Sequence, residues 1–239
     1  MSSSNRGGQR DRDDYYPTPP WPVWRFLEAV CLPGGVWFEP SAGQGDILKA
    51  VNARREDAHW RVQELREECR EVLEALSPDV TICNSLEHEA GPADVGIDNP
   101  PFLFAEAFAK MMMKVCVHTA LLLRLNFLGG EERNVWLRAS NPDVHVLPQR
   151  PSFGNKCARP KKKGGPCKGP LLPPLTEKCP ECGWTARPQT DSCEYAWFHW
   201  WPGATGKLNL LPLTPLDERK IWLRGDGGLG TAQQGRLFA

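Results

Sequence analysis

Short apolar runs alternate with amphipathic segments along the first half of the chain. The runs are bounded by turn residues, which predicts buried strands at 36–39, 60–63, 80–83, 95–98 and 120–125. Between them, apolar residues recur at helical spacing and predict helices that begin near Thr18, Ile47, Leu65 and Phe104. Thr18 is a candidate N-cap for the first helix, with Pro19 at the first helical position. Strands that alternate with helices predict an α/β fold built on a mostly parallel sheet.

The pattern changes after Gly129. A helix is predicted at 131–139 and a strand at 144–147. Residues 154–191 are rich in Pro, Gly and Lys and have no periodicity, so we interpret them as an insertion. Two later apolar runs, 194–201 and 207–213, flank a Gly-containing turn and predict an antiparallel β-hairpin at the C-terminal end of the sheet.

Composition agrees with one compact domain. The chain has 239 residues, of which 41% are hydrophobic and 24% charged, with a net charge of zero. Residues 1–14 predict a disordered leader and 225–239 a flexible tail, which leaves 15–153 and 192–224 for the main domain. The longest apolar run, 119–128, is interrupted by Arg124 and Asn126, so no membrane span is expected. The leader lacks the apolar core of a secretory signal, and a cytoplasmic location is expected.

Two motifs carry candidate chemistry. The first is the Gly-rich turn after the first strand, Glu39 to Gly45, which places backbone N–H groups and a helix start beside a ligand. It lacks the spacing of a dinucleotide fingerprint, and the chain has no Lys-containing phosphate loop. The second motif, Asn99-Pro100-Pro101-Phe102, follows the fourth strand. It offers a side-chain amide, an unpaired carbonyl and a ring, a set suited to holding an exocyclic amine.

The order of these motifs, with the Tyr-Pro-Thr-Pro-Pro segment at 16–20, resembles the S-adenosylmethionine-dependent DNA adenine-N6 methyltransferases. The likeness covers about 14–215 and is nearest to the small phage-type adenine methylases. It implies a Rossmann-like methyltransferase sheet, S-adenosylmethionine as cofactor and DNA as partner, while protein partners stay unknown.

The resemblance assigns a cofactor pocket residue by residue. Glu39 would reach the cofactor's amino group, and Glu64, at the end of the second strand, would bind the ribose hydroxyls. A carboxylate at a helix start is also favoured by the helix dipole alone. Asn84 stands where the family usually has Asp, a departure from its pattern. The full expected set is Tyr16, Pro17, Thr18, Glu39, Ser41, Ala42, Gly43, Gly45, Glu64, Asn84, Ser85 and Asn99.

The same resemblance implies how an amine would be methylated. Asn99 and the Pro100 carbonyl would each accept an N6–H bond, Pro101 would fix the turn, and Phe102 would stack on a base extruded from the helix. Phe153 would supply a second aromatic against that base or would be a core residue. Arg124 and Asn126 would contact the substrate backbone or satisfy loop carbonyls. Asp98 receives no chemical role.

The insertion carries a separate signal. Cys157, Cys167, Cys179 and Cys182 include a Cys-Pro-Glu-Cys-Gly knuckle that resembles half of a zinc ribbon, so a structural zinc is expected, with Cys193 or His199 as alternative ligands. Basic residues around it predict a phosphate-binding surface rather than a merely solvated loop, namely Lys156, Arg159, Lys161, Lys162, Lys163 and Lys168.

Other functions share these motifs. Adenine in RNA, the N4 amine of cytosine and a protein glutamine amide are also substrates of enzymes with an Asn-Pro-Pro-aromatic motif. A non-catalytic, zinc-containing DNA-binding protein on a decayed methylase fold is the alternative from another class.

Overall fold

The computed structural model describes residues 17–157, 178–179, 181–190 and 192–213. Its five helices within these ranges are α1 (Pro20–Ala29), α2 (Asp46–Asn52), α3 (Arg70–Glu74), α4 (Ala105–Val115) and α5 (Glu131–Ser140). The first six strands are β1 (Gly35–Glu39), β2 (Ala58–Glu64), β3 (Asp79–Ile82), β4 (Ala93–Asp98), β5 (Cys116–Arg124) and β6 (Asp143–Val146). The last four are β7 (Ser152–Cys157), β8 (Ala186–Thr190), β9 (Tyr195–Trp200) and β10 (Leu208–Leu210).

Eight of these strands form one mixed sheet in the order β10-β6-β9-β5-β4-β1-β2-β3. Strands β1 to β5 are all parallel to one another, whereas β9 runs antiparallel to both β5 and β6. The predicted α/β fold with a mostly parallel sheet is therefore confirmed. The strand order reverses between β1 and β4, and the carboxyl edge at such a reversal is where open α/β sheets bind ligands.

The sheet is buried on both faces. Trp37 and Phe38 are neighbours on β1 and point to opposite faces, yet both have no exposed surface. Trp37 belongs to a core cluster with residues of α1 and α2, and Phe38 belongs to a second cluster with residues of α4 and α5. Both layers of helices thus exclude water from the central strands, which explains why these strands read as continuous apolar runs.

The predicted hairpin at the C-terminal end is wrong. Strand β10 pairs in parallel with β6, and β6 lies between β10 and β9. Asp143 at the start of β6 explains this arrangement, because its carboxylate accepts hydrogen bonds from the backbone N–H groups of Thr205 and Lys207 at 3.1 and 2.8 Å and from the Trp201 indole at 3.0 Å. These bonds hold the segment between β9 and β10 against the start of β6, so β10 pairs with β6 and does not fold back onto β9.

Two helix predictions also need correction. The N-cap of α1 is Pro19, which makes no side-chain capping bond, so Thr18 is not the cap. The helix expected from Leu65 is shorter: a 3-10 turn, Glu67–Cys69, leads into α3, and Leu65 is 63% exposed. Leu65 follows directly on β2 and lies on the wall of a cleft, so its apolar side chain does not belong to the buried helix face.

Within the insertion, β7 and β8 pair antiparallel as a separate two-stranded ribbon. Among the helices that the structure describes, none is both long and apolar enough to cross a bilayer.

Candidate functional site

A cleft of about 480 Å³ opens at the carboxyl ends of β1 to β4. The glycine loop after β1, the end of β2, the loop after β3 and the Asn-Pro-Pro segment after β4 all contribute to its wall. The residues that line it are Thr18, Glu39, Pro40, Ser41, Ala42, Gly43, Asp46, Ile47, Glu64, Leu65, Arg66, Cys83, Asn84, Ser85, Leu86, Glu87, Asn99, Pro101, Phe104 and Phe108. The structure therefore brings the two sequence motifs to one cavity.

The glycine loop has a backbone that only glycine adopts easily. Gly43 and Gly45 have φ values of 56° and 72°, in the left-handed region. The Gly43 N–H donates a 2.6 Å hydrogen bond to Glu64 at the end of β2. On the other side, the Ser85 hydroxyl donates to the Pro40 carbonyl at 2.5 Å. The loops after β1, β2 and β3 are thus held together in one rigid wall.

The cleft is strongly acidic. Four carboxylates, those of Glu39, Asp46, Glu64 and Glu87, line it together with one guanidinium, that of Arg66. Arg66 is bound to Glu64 at 2.9 Å, so these two charges balance each other and the acidic excess comes from Glu39, Asp46 and Glu87. A cavity of this charge repels phosphate groups and favours a ligand that carries positive charge.

Glu39 is the most deeply buried acid of the cleft wall. It is 2% exposed, and its Oε2 atom has no hydrogen-bond partner among the described residues. Burial, followed by the charges of Asp98, Asp46 and Glu64, raises its pKa well above the usual value. A cationic ligand would supply the missing partner and favour the ionised form.

Behind the cleft wall, Asp98 joins the two motifs. Its carboxyl group is fully buried, and the Ser41 hydroxyl oxygen lies 2.8 Å from both of its oxygens. Burial raises the pKa of Asp98 to about 8, against the opposite effect of the bond from Ser41. Asp98, which received no chemical role from the sequence, therefore links the glycine loop to the end of the strand that precedes Asn99.

The Asn99 side-chain amide is held at one end only. Its Nδ2 donates a 3.0 Å hydrogen bond to the Thr18 hydroxyl. Its Oδ1 is buried and accepts no hydrogen bond from any described residue. A buried carbonyl oxygen without a donor costs about 1–3 kcal/mol, which a bound N–H group would recover.

Phe102 begins a short 3-10 turn, Phe102–Phe104, and one face of its ring is covered by Arg124, whose guanidinium carbon lies 4.2 Å from the ring centroid. The Arg124 Nε donates to the Tyr195 hydroxyl at 3.1 Å. Phe153 packs against Tyr195 with ring centroids 5.1 Å apart and is only 4% exposed. Three rings and one cation therefore form a cluster beside the Asn-Pro-Pro segment.

Several predicted residues lie elsewhere or cannot be described. Asn84 does line the cleft, but it is exposed and its Oδ1 accepts a bond from the Leu86 N–H, whereas Asn126 is exposed on a separate 3-10 segment outside the cleft. Only the backbones of Lys156 and Cys157 are described. Predicted residues outside the described ranges are Tyr16, Arg159, Lys161, Lys162, Lys163, Cys167 and Lys168.

The described half of the cysteine motif forms a tight turn. The Cys179 N–H donates to the Trp184 carbonyl at 2.7 Å, and the Gly183 N–H donates to the Cys179 carbonyl at 2.8 Å. Gly183 has a φ of 69°, which this turn requires. No group of three or more metal-binding side chains is found within the described ranges, which lack Cys167.

Sequence reasoning missed part of the cleft. Apolar residues at helical spacing, such as Phe104 and Phe108, are typical of a core face, yet both line the cleft, and Phe104 is 47% exposed. Their i and i+4 spacing places both rings on one helix face, and that face is shared between core and cleft. The covering of Phe102 by Arg124 and the bond from Asn99 to Thr18 leave no sequence signal.

The chain was compared with known proteins. No protein-family model matches the sequence, and no curated protein sequence matches it significantly. Its fold, in contrast, matches many solved structures. One is a Pyrococcus horikoshii protein described as an RNA methyltransferase, with a TM-score of 0.52 and 15% identity over 83% of this chain and 94% of that chain.

A second is the methyltransferase subunit of a type I restriction-modification system from Streptococcus thermophilus, with a TM-score of 0.50 and 14% identity. That match covers 80% of this chain and 45% of the other. The chain therefore has the methyltransferase fold.

Proposed function

We propose that this chain transfers a methyl group from S-adenosylmethionine to the N6 amine of adenine in DNA. The observation that carries the proposal is the buried, unpartnered Oδ1 of Asn99 on the wall of the cleft that the glycine loop also lines. An acceptor for an amine and a site for a small cationic cofactor thus share one cavity.

The cleft residues fit the cofactor. S-adenosylmethionine supplies an electrophilic methyl group on a positively charged sulfonium and also carries an ammonium group. The acidic wall suits both charges, and the unpartnered Glu39 oxygen can accept an ammonium bond. Gly43 and Gly45 keep the loop free of side chains, and Glu64 and Ser85 hold the neighbouring loops in place.

The chain's own residues would act on the amine by orientation. The lone pair of an adenine N6 is delocalised into the ring, so the nitrogen is a poor nucleophile. If the Asn99 Oδ1 and the Pro100 carbonyl each accept one N–H bond, the nitrogen is turned so that its lone pair faces the methyl group. Most of the rate increase would come from this alignment and from dipoles that match the developing charge.

The base must leave the duplex to reach this position. Phe102 would stack on it, and since Arg124 covers one ring face, the base would use the other face or displace the guanidinium. Phe153 is buried against Tyr195 and would contact the base only after a local rearrangement.

The test of the reaction uses the full-length chain. The protein is incubated with methyl-labelled S-adenosylmethionine and duplex DNA, and the nucleosides are analysed by mass spectrometry. We expect N6-methyladenine, lost in Asn99→Ala and retained in Asn134→Ala, which alters an exposed asparagine on α5 away from the cleft. If the label is found instead in RNA, in the N4 amine of cytosine or in a glutamine amide, that group is the substrate and adenine in DNA is not. If no acceptor is methylated, the proposal is refuted, and the alternative of a non-catalytic binding protein is favoured.

A structural zinc is proposed for the insertion. The turn around Cys179, closed by two backbone bonds with Gly183 in the left-handed conformation, supports it, because Cys179 and Cys182 stand on this turn with the two-residue separation in sequence of a zinc knuckle. Cys157 and Cys167 would complete the set, and the neighbouring lysines would contact DNA phosphates. Elemental analysis should give one zinc per chain, lost in Cys179→Ser with Cys182→Ser. Less than about half an equivalent would refute the site.

A further inference from the structure

Thr18 lies between two prolines directly before α1 and is 5% exposed. Threonine at such a place normally caps the helix with its hydroxyl. Here the N-cap is Pro19, without a side-chain capping bond, and the Thr18 hydroxyl instead accepts the bond from Asn99 Nδ2 at 3.0 Å. The Thr18 hydroxyl therefore does not cap the helix but binds the side chain of Asn99 in the cleft wall.

The backbone around Thr18 is held firmly. The Trp197 indole donates to the Pro22 carbonyl at 2.9 Å, and the Trp24 indole donates to the Ala50 carbonyl at 2.9 Å. The first bond ties the start of α1 to β9, and the second ties α1 to α2. Both indoles are at most 5% exposed, so the bonds lie in the core. A group on this segment can position a neighbour with the precision that catalysis requires.

The bond holds one end of the Asn99 amide and leaves the other end for a ligand. An amide has a donor end and an acceptor end of nearly the same shape, and a half turn of the side chain exchanges them. With Nδ2 on Thr18, Oδ1 stays available for a ligand N–H. Without the Thr18 hydroxyl, the same orientation would bury Nδ2 with no acceptor, which costs about 1–3 kcal/mol.

We propose that Thr18 is a positioning residue that fixes the Asn99 amide on the cleft wall, where its Oδ1 can accept a hydrogen bond from the substrate amine. This inference rests on the proposed function. Loss of the Thr18 hydroxyl would leave one polar end of a buried amide without a partner, and the amide would be held less firmly.

The activity test compares Thr18→Val, which has nearly the same shape but no hydroxyl, with Thr18→Ser, which keeps it. We expect kcat to fall about 5- to 150-fold in Thr18→Val, the equivalent of 1–3 kcal/mol. The affinity for the cofactor, measured by calorimetry, should change less than threefold, and Thr18→Ser should restore kcat. The matched control is Thr119→Val, which removes a buried hydroxyl without a partner on β5. Wild-type kcat in Thr18→Val, or a parallel loss of cofactor affinity, would overturn the inference.

A second measurement is independent of turnover. The Asn99 side-chain amide signal is identified in a proton–nitrogen NMR spectrum by its absence in Asn99→Asp. Thr18→Val should shift this signal and speed its hydrogen exchange, whereas Thr119→Val should leave it in place. An unchanged signal in Thr18→Val would refute the Thr18–Asn99 contact itself. Absence of methyl transfer by the wild-type protein would instead refute the proposed function, so the two failures are distinguishable.

Discussion

The Ser41 hydroxyl oxygen lies 2.8 Å from both carboxyl oxygens of the fully buried Asp98. A hydroxyl has one proton and can donate to only one of them. The second contact is a hydrogen bond when Asp98 itself carries a proton. This requirement agrees with the pKa of about 8 that burial gives to Asp98.

The first prediction concerns this carboxyl group. Since its folded-state pKa of about 8 is raised above the ordinary value of 3.8, the folded state binds more protons between these values. Stability from Asp98 is therefore full below about pH 4 and is lost as the pH rises toward 8. Asp98→Asn, which keeps the shape and does not titrate, should gain stability relative to wild type by up to about 1.4 kcal/mol per pH unit. Urea unfolding of both proteins at pH 5, 7 and 9 measures the difference, and a difference independent of pH would contradict the protonated state.

The second prediction concerns a histidine cluster on β5, β6 and β9, at the edge of the sheet opposite the cleft. His199 Nε2 lies 3.1 Å from His118 Nδ1, and burial, followed by the charges of His118 and His145, lowers the pKa of His199 to about 3. The unfolded chain therefore binds more protons below the ordinary pKa of 6.5, and stability is lost as the pH falls from 6.5 toward 3. His199→Gln should lose less stability than wild type between pH 7 and 5. If wild type and His199→Gln lose the same stability over this pH range in acid unfolding, His199 is not the group that causes the loss.

The third prediction separates the two glycines of the loop. Gly43→Val should weaken cofactor binding at least tenfold in calorimetry, because φ of 56° strains a β-branched residue and shifts the N–H that binds Glu64. Gly45→Ala should act on stability instead, since its Cβ would lie 2.5 Å from the Leu76 side chain and 3.3 Å from that of Leu73. A thermal scan should show a lower melting temperature in Gly45→Ala than in wild type. Unchanged affinity in Gly43→Val would place the cofactor elsewhere.

The fourth prediction concerns the ring of Phe102. Phe102→Leu keeps an apolar side chain but removes the stacking surface, so DNA binding should weaken at least about fivefold, on the order of 1 kcal/mol. The neighbour Leu103 is 83% exposed, and Leu103→Ala is the matched control for a general effect on this turn. Fluorescence anisotropy with an adenine-containing duplex measures both variants. Equal affinities would remove Phe102 from the substrate site.

Strands β1, β2, β4 and β5 were predictable because each is a largely buried apolar run followed by a turn. Strand β3, at the end of the sheet, has the same apolar run before a turn although its residues are only partly buried or exposed. The position of β10 could not be predicted, since only the contacts of Asp143 with Thr205 and Lys207 decide which strand β10 joins. The cleft could be placed from the motifs, because parallel strands bring their carboxyl ends to one edge. The bond between Thr18 and Asn99 could not be predicted, because a threonine hydroxyl at this place is expected to cap the helix and Asn99 is distant in sequence.

The position of β9 between β5 and β6 has a consequence for how the chain reaches its fold. The parallel strands β1 to β4 that carry the cleft come from one continuous stretch, so their contacts can form early. The register that sets Leu121 opposite Phe198 instead requires closure of a long loop that contains the whole insertion. Closure entropy rises only by about 0.6 kcal/mol for each doubling of loop length, so the insertion costs little stability. It delays the late β5–β9 pairing more than it weakens the native state, since long-range contacts slow folding.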